Sequence, residues 1–193
     1  DFCKVFRYHS HSNQSTRHRK RTYERKYNGY IQRPEEFRFL EGVTEAFAIF
    51  AKYFDTIVIV TNQQGIGKGL MSEEDFKAIS EKMITEIQNA GGRVDYVFHC
   101  PHLAKNNSFD RKPSVGMGLK AKKMFPRINF KDSIMVGDSL SDLVFGKRLK
   151  MHTVHISDNC DEARQHPNRI DLRFASLLEF AKYMEYEKDR KVK

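Results

Sequence analysis

Residues 56–69 read Thr-Ile-Val-Ile-Val-Thr-Asn-Gln-Gln-Gly-Ile-Gly-Lys-Gly, and the fold turns on how they are read. The β-branched run Ile57 to Val60 predicts a strand buried on both faces, spanning Thr56 to Val60. The strand empties into Thr61, Asn62 and Gln63 and then into a loop with Gly65, Gly67 and Gly69. It therefore delivers a hydroxyl and two amides to a strand's carboxyl end, followed by backbone N–H groups with room to approach an anion. In an open α/β sheet, ligands bind at that end. Glycine-rich loops after strands are common, so this segment gains meaning only from its surroundings.

Those surroundings alternate between helical stripes and short strands. Before the segment, Gly42 to Phe54 places Val43, Phe47, Phe50 and Phe54 at helical spacing. After it, Ser72 is the expected cap of a helix running to about Asn89, with Phe76, Ile79, Met83 and Ile87 on one face and Gly91-Gly92 as its stop. Val94 to Phe98 reads as the next strand, and Cys100 to Pro113 as a long polar loop of the kind that often carries function. A helix over 114–125, a strand over 133–136, a helix over 140–149 and a strand over 153–156 come next. An edge strand at 171–174 and a helix from Ser176 to about Tyr186 complete the pattern, with a fraying charged tail over 187–193. This order predicts an α/β domain with a mainly parallel sheet and helices on both faces.

Composition narrows the class. The chain has 193 residues, 39% hydrophobic and 31% charged, enough for one domain core. No apolar run approaches the ~20 residues a membrane helix needs, and the amino-terminal stretch lacks a secretory signal's apolar region, so a membrane partner is not expected. Cys3, Cys100 and Cys160 are too few for a disulfide framework and suit a cytoplasmic protein. The first residue is not Met, as expected of a fragment. The net charge of +9 is lopsided: residues 1–33 hold nine basic and two acidic groups (+7), leaving 25 basic and 23 acidic (+2) for the rest. Residues 1–26 show neither strand nor helix periodicity. They read either as a basic phosphate-binding arm or as an irregular, disordered or mis-encoded end.

Two more polar clusters lie in or beside strand-end loops. Arg111-Lys112-Pro113 sets two cations just before a helix; a surface pair of this kind is ordinarily only solvated. Val136-Gly137-Asp138-Ser139-Leu140-Ser141-Asp142 ends a strand in Gly and Asp, with a second carboxylate one turn on. Hard oxygen donors there suit Mg²⁺; the ordinary alternative is that Asp138 merely caps the next helix.

In this order and spacing the three clusters resemble motifs II, III and IV of the haloacid dehalogenase (HAD) superfamily of phosphatases. Thr61-Asn62-Gln63-x-Gly65-Ile66, Arg111-Lys112-Pro113 and Gly137-Asp138-x-x-x-Asp142, with Cys100-Pro101-His102 between, look most like the subfamily IIIA group containing heptose-bisphosphate and histidinol-phosphate phosphatases. The resemblance covers about Asn28 to Phe180, including Tyr30 to Gly42. It implies a Rossmann-like domain over 27–186 with little or no cap, its substrate admitted by loops. Thr61 would hydrogen-bond phosphoryl oxygens beside Asn62 and Gln63, and Lys112 would neutralise phosphoryl charge. Arg111 would reach a second anionic group, Asp138 would hold Mg²⁺, and Asp142 would join it or orient Lys112. The implied reaction is hydrolysis of a small-metabolite phosphomonoester, most plausibly a heptose bisphosphate, by a monomer. Histidinol phosphate and a DNA 3′-phosphate are the alternative substrates. The DNA reading draws on Arg111 to Met117, and the +2 body without an aromatic-basic groove makes nucleic acid the lesser expectation.

The chain departs from the family pattern twice. The family's first motif, an apolar strand ending in Asp-x-Asp with the nucleophile, is missing: no aspartate lies between Asp1 and Asp55. Asp55 precedes its strand while Thr61 ends it, roughly 20 Å apart at ~3.3 Å per residue. Permitted codons for Thr16 to Thr22, read one base later, give Arg-Asp-Thr-Val-Asn-Glu-Arg, close to the residues after the nucleophile in this group. Residues 1–26 are therefore expected to be a frameshifted reading, with a phosphate-binding pseudoenzyme as the rival. Second, relatives in the group carry a four-ligand zinc loop, whereas Ser108, Phe109 and Asp110 stand where its second pair belongs. No zinc is expected, with His99, Cys100 and His102 packing the loop.

Overall fold

The computed structural model describes residue 31 and residues 33–158 and 161–192; the basic segment expected to be irregular, 1–26, lies outside the described residues. Five strands order the rest: β1 (Val58–Asn62), β2 (Tyr96–Cys100), β3 (Ile134–Gly137), β4 (His152–Ile156) and β5 (Leu172–Phe174). The helices are α1 (Val43–Tyr53), α2 (Gln64–Gly67), α3 (Glu73–Asn89), α4 (Gly116–Met124), α5 (Leu140–Arg148), α6 (Asp161–Gln165) and α7 (Leu177–Val192).

Every strand pairing among the described residues is parallel. Among the described residues β1 pairs with β2, and β3–β4–β5 form a second ladder, so the strands of the expected sheet fall there into a two-stranded and a three-stranded part. Alternation along the strands joins both parts to the same two cores. Ile57, Ile59, Val136, Val154 and Ile156 turn to one side and pack with Phe47 and Phe50 of α1, Ile79 and Ile87 of α3, and Phe180 of α7. Val58, Val60 and Met135 turn to the other and pack with Met117 and Ala121 of α4 and Phe145 of α5. Helices thus cover both faces, as the alternating pattern predicts. Among the described residues no separate cap subdomain interrupts these elements; the long loop after β2 holds only the single turn Ala104–Asn106.

The first two strands sit two residues later than their apolar runs suggest. Asp95 fixes the offset: its N–H donates to Ile57 O at 2.7 Å, and its carboxylate accepts the Ile57 N–H at 2.6 Å. The ladder then runs from Val58↔Tyr96 to Asn62↔Cys100, so Thr61 and Asn62 lie within β1. The glycine loop also differs from expectation. It winds into α2, and the N–H groups of Lys68, Gly69 and Leu70 bond to Gln64, Ile66 and Gly65 carbonyls, so these donors are spent locally. Gly67 is required for another reason: a Cβ there would lie 2.5 Å from the Pro101 carbonyl oxygen.

The tail expected to fray over 187–193 instead continues α7 to Val192. Glu187 and Arg190 pair across one turn at 3.0 Å. At the start of α3 the predicted cap forms: Ser72 Oγ accepts the Asp75 N–H at 2.9 Å, and the Asp75 carboxylate accepts the Ser72 hydroxyl at 2.8 Å and the Ser72 N–H, hydrogen bonds that lower the carboxyl's pKa. No helix among the described residues is long and apolar enough to cross a membrane.

Candidate active site

Lys112 and Asp142 form the centre of the site. Lys112 Nζ stands 2.9 Å from Asp142 Oδ1, both side chains fully buried, and also donates to the Val60 carbonyl at 2.5 Å. A buried ammonium needs such compensation, because desolvation costs several kcal/mol per ion on the order of what pairing returns. One loop residue thus ties the end of β1 to the first turn of α5.

Asp142 reaches that position through its neighbours. Its Oδ2 accepts both the N–H and the hydroxyl of Ser139, at 3.2 and 2.8 Å, fixing the carboxylate at the head of α5. The backbone comes close enough only because residue 137 lacks a side chain; a Cβ there would lie 2.3 Å from Asp142 Cβ and 2.6 Å from Oδ2. The capping work at α5 is therefore done by Ser139 and Asp142, and the alternative that Asp138 serves only as the cap is set aside. The Ser-x-x-Asp spacing is the sequence signal for this arrangement, which a reading of Asp142 as a metal ligand passes over. Asp142 is committed to Lys112 and Ser139, while Asp138 stands one residue past the end of β3.

Asn62 takes a role its position in the motif does not reveal. Its side-chain Nδ2 donates to the Lys112 carbonyl at 3.1 Å, and its Oδ1 accepts the Lys112 N–H at 3.0 Å. The amide thus clasps the Lys112 backbone from both sides, 50 residues away in sequence. Gln63 is likewise turned inward, donating from Nε2 to Thr61 Oγ at 3.0 Å. The threonine hydroxyl uses a lone pair on that amide, and its proton is directed elsewhere. Thr61, Asn62 and Gln63 are all buried. The Lys112–Pro113 peptide is cis.

Arg111 lies nearer the surface. Its guanidinium donates to the His102 carbonyl at 3.0 Å and approaches Gln64 Oε1 at 3.5 Å, bracing the β2–α4 loop against α2. Where β2 enters that loop, Cys100 Sγ lies 3.6 Å from His102 Nδ1 and 3.9 Å from Ser108 Oγ, while His99 pairs with Glu73 at 2.8 Å and packs on Phe76. Among the described residues, no group of three or more His, Cys, Asp or Glu side chains is placed to hold a metal ion.

Strand ends of this parallel α/β domain bring together a buried hydroxyl, a buried Lys–Asp pair and a further carboxylate, in a fold shared with haloacid dehalogenase-like phosphatases. The chain belongs to the polynucleotide kinase 3 phosphatase family, matching it over residues 18–184. Among curated relatives it is 36% identical over 125 residues to a D-glycero-alpha-D-manno-heptose-1,7-bisphosphate 7-phosphatase of Campylobacter jejuni, covering 65% of this chain and 71% of that protein. It is also 36% identical over 124 residues to the beta-heptose enzyme of Vibrio cholerae, covering 61% and 66% respectively. Its fold is similar to a crystal structure of D,D-heptose 1,7-bisphosphate phosphatase from B. bronchiseptica complexed with magnesium and phosphate. That match has a TM-score of 0.76 and 23% identity over 97% of this chain and 99% of the other. The corresponding enzyme of Burkholderia thailandensis aligns with a TM-score of 0.59 and 25% identity, covering 95% and 98%.

Proposed function

We propose that this protein acts on a sugar bisphosphate, a heptose 1,7-bisphosphate, as a Mg²⁺-dependent phosphatase of the cytoplasm working as a monomer. The observation that carries the reading is the Lys112–Asp142 pair held against Val60 beside Thr61, joined to the kinship with heptose-bisphosphate phosphatases. In this reading Thr61 donates its hydroxyl proton to a phosphoryl oxygen while Gln63 holds its oxygen in place. Lys112 neutralises charge as it gathers on the phosphoryl group, and Asp142 keeps the ammonium aimed there. Asn62 and Gln63 position Lys112 and Thr61. Arg111, at the looser rim, faces the second phosphate that a bisphosphate brings.

Magnesium fits the donors present: it prefers hard oxygens, keeps several waters and needs only one or two protein carboxylates. With Asp142 held by Lys112 and Ser139, Asp138 would hold the ion, which would supply Lewis-acid stabilisation of phosphoryl charge. The Cys100–His102–Ser108 loop has a hydroxyl where a closed zinc site requires further sulfur or nitrogen ligands, so we assign it no zinc.

The family's own description favours a second reading, a DNA 3′-phosphatase. The near-neutral body, +2 outside residues 1–33, argues against it, since backbone recognition of DNA rests on clustered Lys and Arg.

The test has two stages. The DNA encoding residues 1–26 is read in three frames, and phosphate release is measured for the chain as it stands and for a chain carrying any restored Asp-x-Asp strand. Substrates are both heptose 1,7-bisphosphate anomers, histidinol phosphate and nicked DNA with a 3′-phosphate. Mg²⁺-dependent turnover of a heptose bisphosphate by the restored chain supports the proposal. Turnover of nicked DNA that collapses with added salt, or a preference for histidinol phosphate, overturns the substrate. If no frame restores the motif and the chain binds phosphate without turnover, the pseudoenzyme reading replaces the enzyme.

A further inference from the structure

We propose that the outer edge of β2, together with the adjoining face of α4, is a docking surface for an extended acidic peptide segment of a partner protein. The surface lies outside the Lys112–Asp142 site and plays no part in the activity proposed above.

Among the described residues β2 bonds to β1 alone. The Gln63 N–H donates to the Cys100 carbonyl at 2.7 Å, so Cys100 faces β1, and in a parallel strand alternate residues turn their N–H and C=O the same way. Tyr96 and Phe98 therefore turn theirs toward β1, and Val97 and His99 present theirs outward. Beside this edge a groove of about 560 Å³ is lined by Tyr96, Phe98, Met117, Lys120, Lys123 and Met124. The Tyr96 and Phe98 rings sit 4.5 Å apart along it. Tyr96 and Met124 are 43% and 48% exposed, an unusual concentration of apolar surface next to open backbone groups.

Charge selects the occupant. Helix α4 carries Lys120, Lys122 and Lys123 and no acidic residue. Lys122 is spent on the Pro126 and Ile128 carbonyls, and Lys120 pairs with Asp110 at 2.5 Å. Lys123 makes no ion pair among the described residues and stands at the groove. Lysines near a sheet edge commonly serve to repel strand addition. Here they stand on the helix, not on the strand, so they spare the edge while biasing the groove against positive partners. A second copy, with net charge +9 and its own lysines at the same place, is disfavoured. A strand with alternating carboxylates satisfies both features, pairing with β2 while its acidic side chains reach Lys120 and Lys123.

The test titrates isotopically labelled full chain with the capped hexapeptide Val-Glu-Phe-Glu-Val-Glu and, in parallel, Val-Lys-Phe-Lys-Val-Lys. The proposal expects saturable shifts confined to Tyr96–Cys100 and α4, slowed exchange of the Val97 and His99 amides, and no response to the lysine peptide. Lys120→Glu/Lys123→Glu is expected to weaken binding by about tenfold, the order of two exposed ion pairs reversed. Since that variant loses the Asp110 pair, Val97→Pro serves as the second: it deletes an outward N–H and none of the β1 ladder. No binding at millimolar peptide, equal binding of both peptides, shifts elsewhere, unchanged binding by a folded Val97→Pro, or self-association through β2 would each overturn the proposal.

Discussion

Replacing Asp142 by Asn tests the centre of the structure directly. The substitution keeps shape and leaves an oxygen for Ser139, but strips the charge from the partner of a fully buried ammonium. Breaking a buried pair from one side costs about 3–5 kcal/mol, because the remaining charge stays desolvated. At roughly 2–4 °C per kcal/mol for a domain of this size, the melting temperature should fall by about 6–20 °C. Lys112→Met alone should also destabilise, leaving a carboxylate in the same low-dielectric place. The double variant Lys112→Met/Asp142→Asn removes both charges and should cost less than the two single changes added, giving a coupling free energy of about 1–3 kcal/mol in the cycle. Urea unfolding tracked by helical circular dichroism supplies all four stabilities. If Asp142→Asn lies within about 1 kcal/mol of the parent, or the two single changes simply add, the pair is not the buried, mutually dependent unit described here.

Asn62→Ala should lower stability by about 1–3 kcal/mol, since it leaves the Lys112 N–H and C=O without the amide that meets them. It should also weaken inorganic phosphate binding, read by titration, whereas a residue that touched only a distal part of the substrate would leave phosphate affinity intact. Gly137→Ala should cost about 1–3 kcal/mol as the new methyl displaces Asp142, with unchanged urea midpoint refuting the close approach. Asp171 gives a pH signature. Partial burial raises its pKa, but hydrogen bonds from Lys147 and Thr153 and the Lys147 charge outweigh that, leaving it lowered. A carboxyl depressed on folding stabilises above its unfolded pKa of about 3.9 and loses that contribution as pH falls through the folded value. Asp171→Asn should therefore flatten the stability profile below about pH 4, and an unaltered acid slope would refute the assignment.

The alternation of β-branched runs with helical stripes is enough to order the elements, because burial on a strand and on a helix imposes different periods on the same alphabet. Ser72 as a cap and the two core faces come from local rules. Strand ends do not, since the register depends on Asp95 meeting Ile57 across 38 residues, a contact without local trace. The tail of α7 departs from expectation because its charge density suggests solvation, while a Glu–Arg pair one turn apart supports the helix to its end.

For the site, the sequence by itself determined which chemistry is present: a hydroxyl, two cations and two carboxylates at strand ends, in an order shared with a phosphatase superfamily. Only tertiary structure decided what each does. Asn62 looks like a ligand for substrate and proves to clasp the Lys112 backbone. Asp142 reads either as a metal ligand or as the residue that orients Lys112, and its buried pairing with that ammonium selects the second. A side chain's donors and acceptors are fixed by its type, but which partners they meet depends on chain segments some 50 and 30 residues apart closing on one point. That closure is set by packing, and packing is not written in any local stretch of sequence.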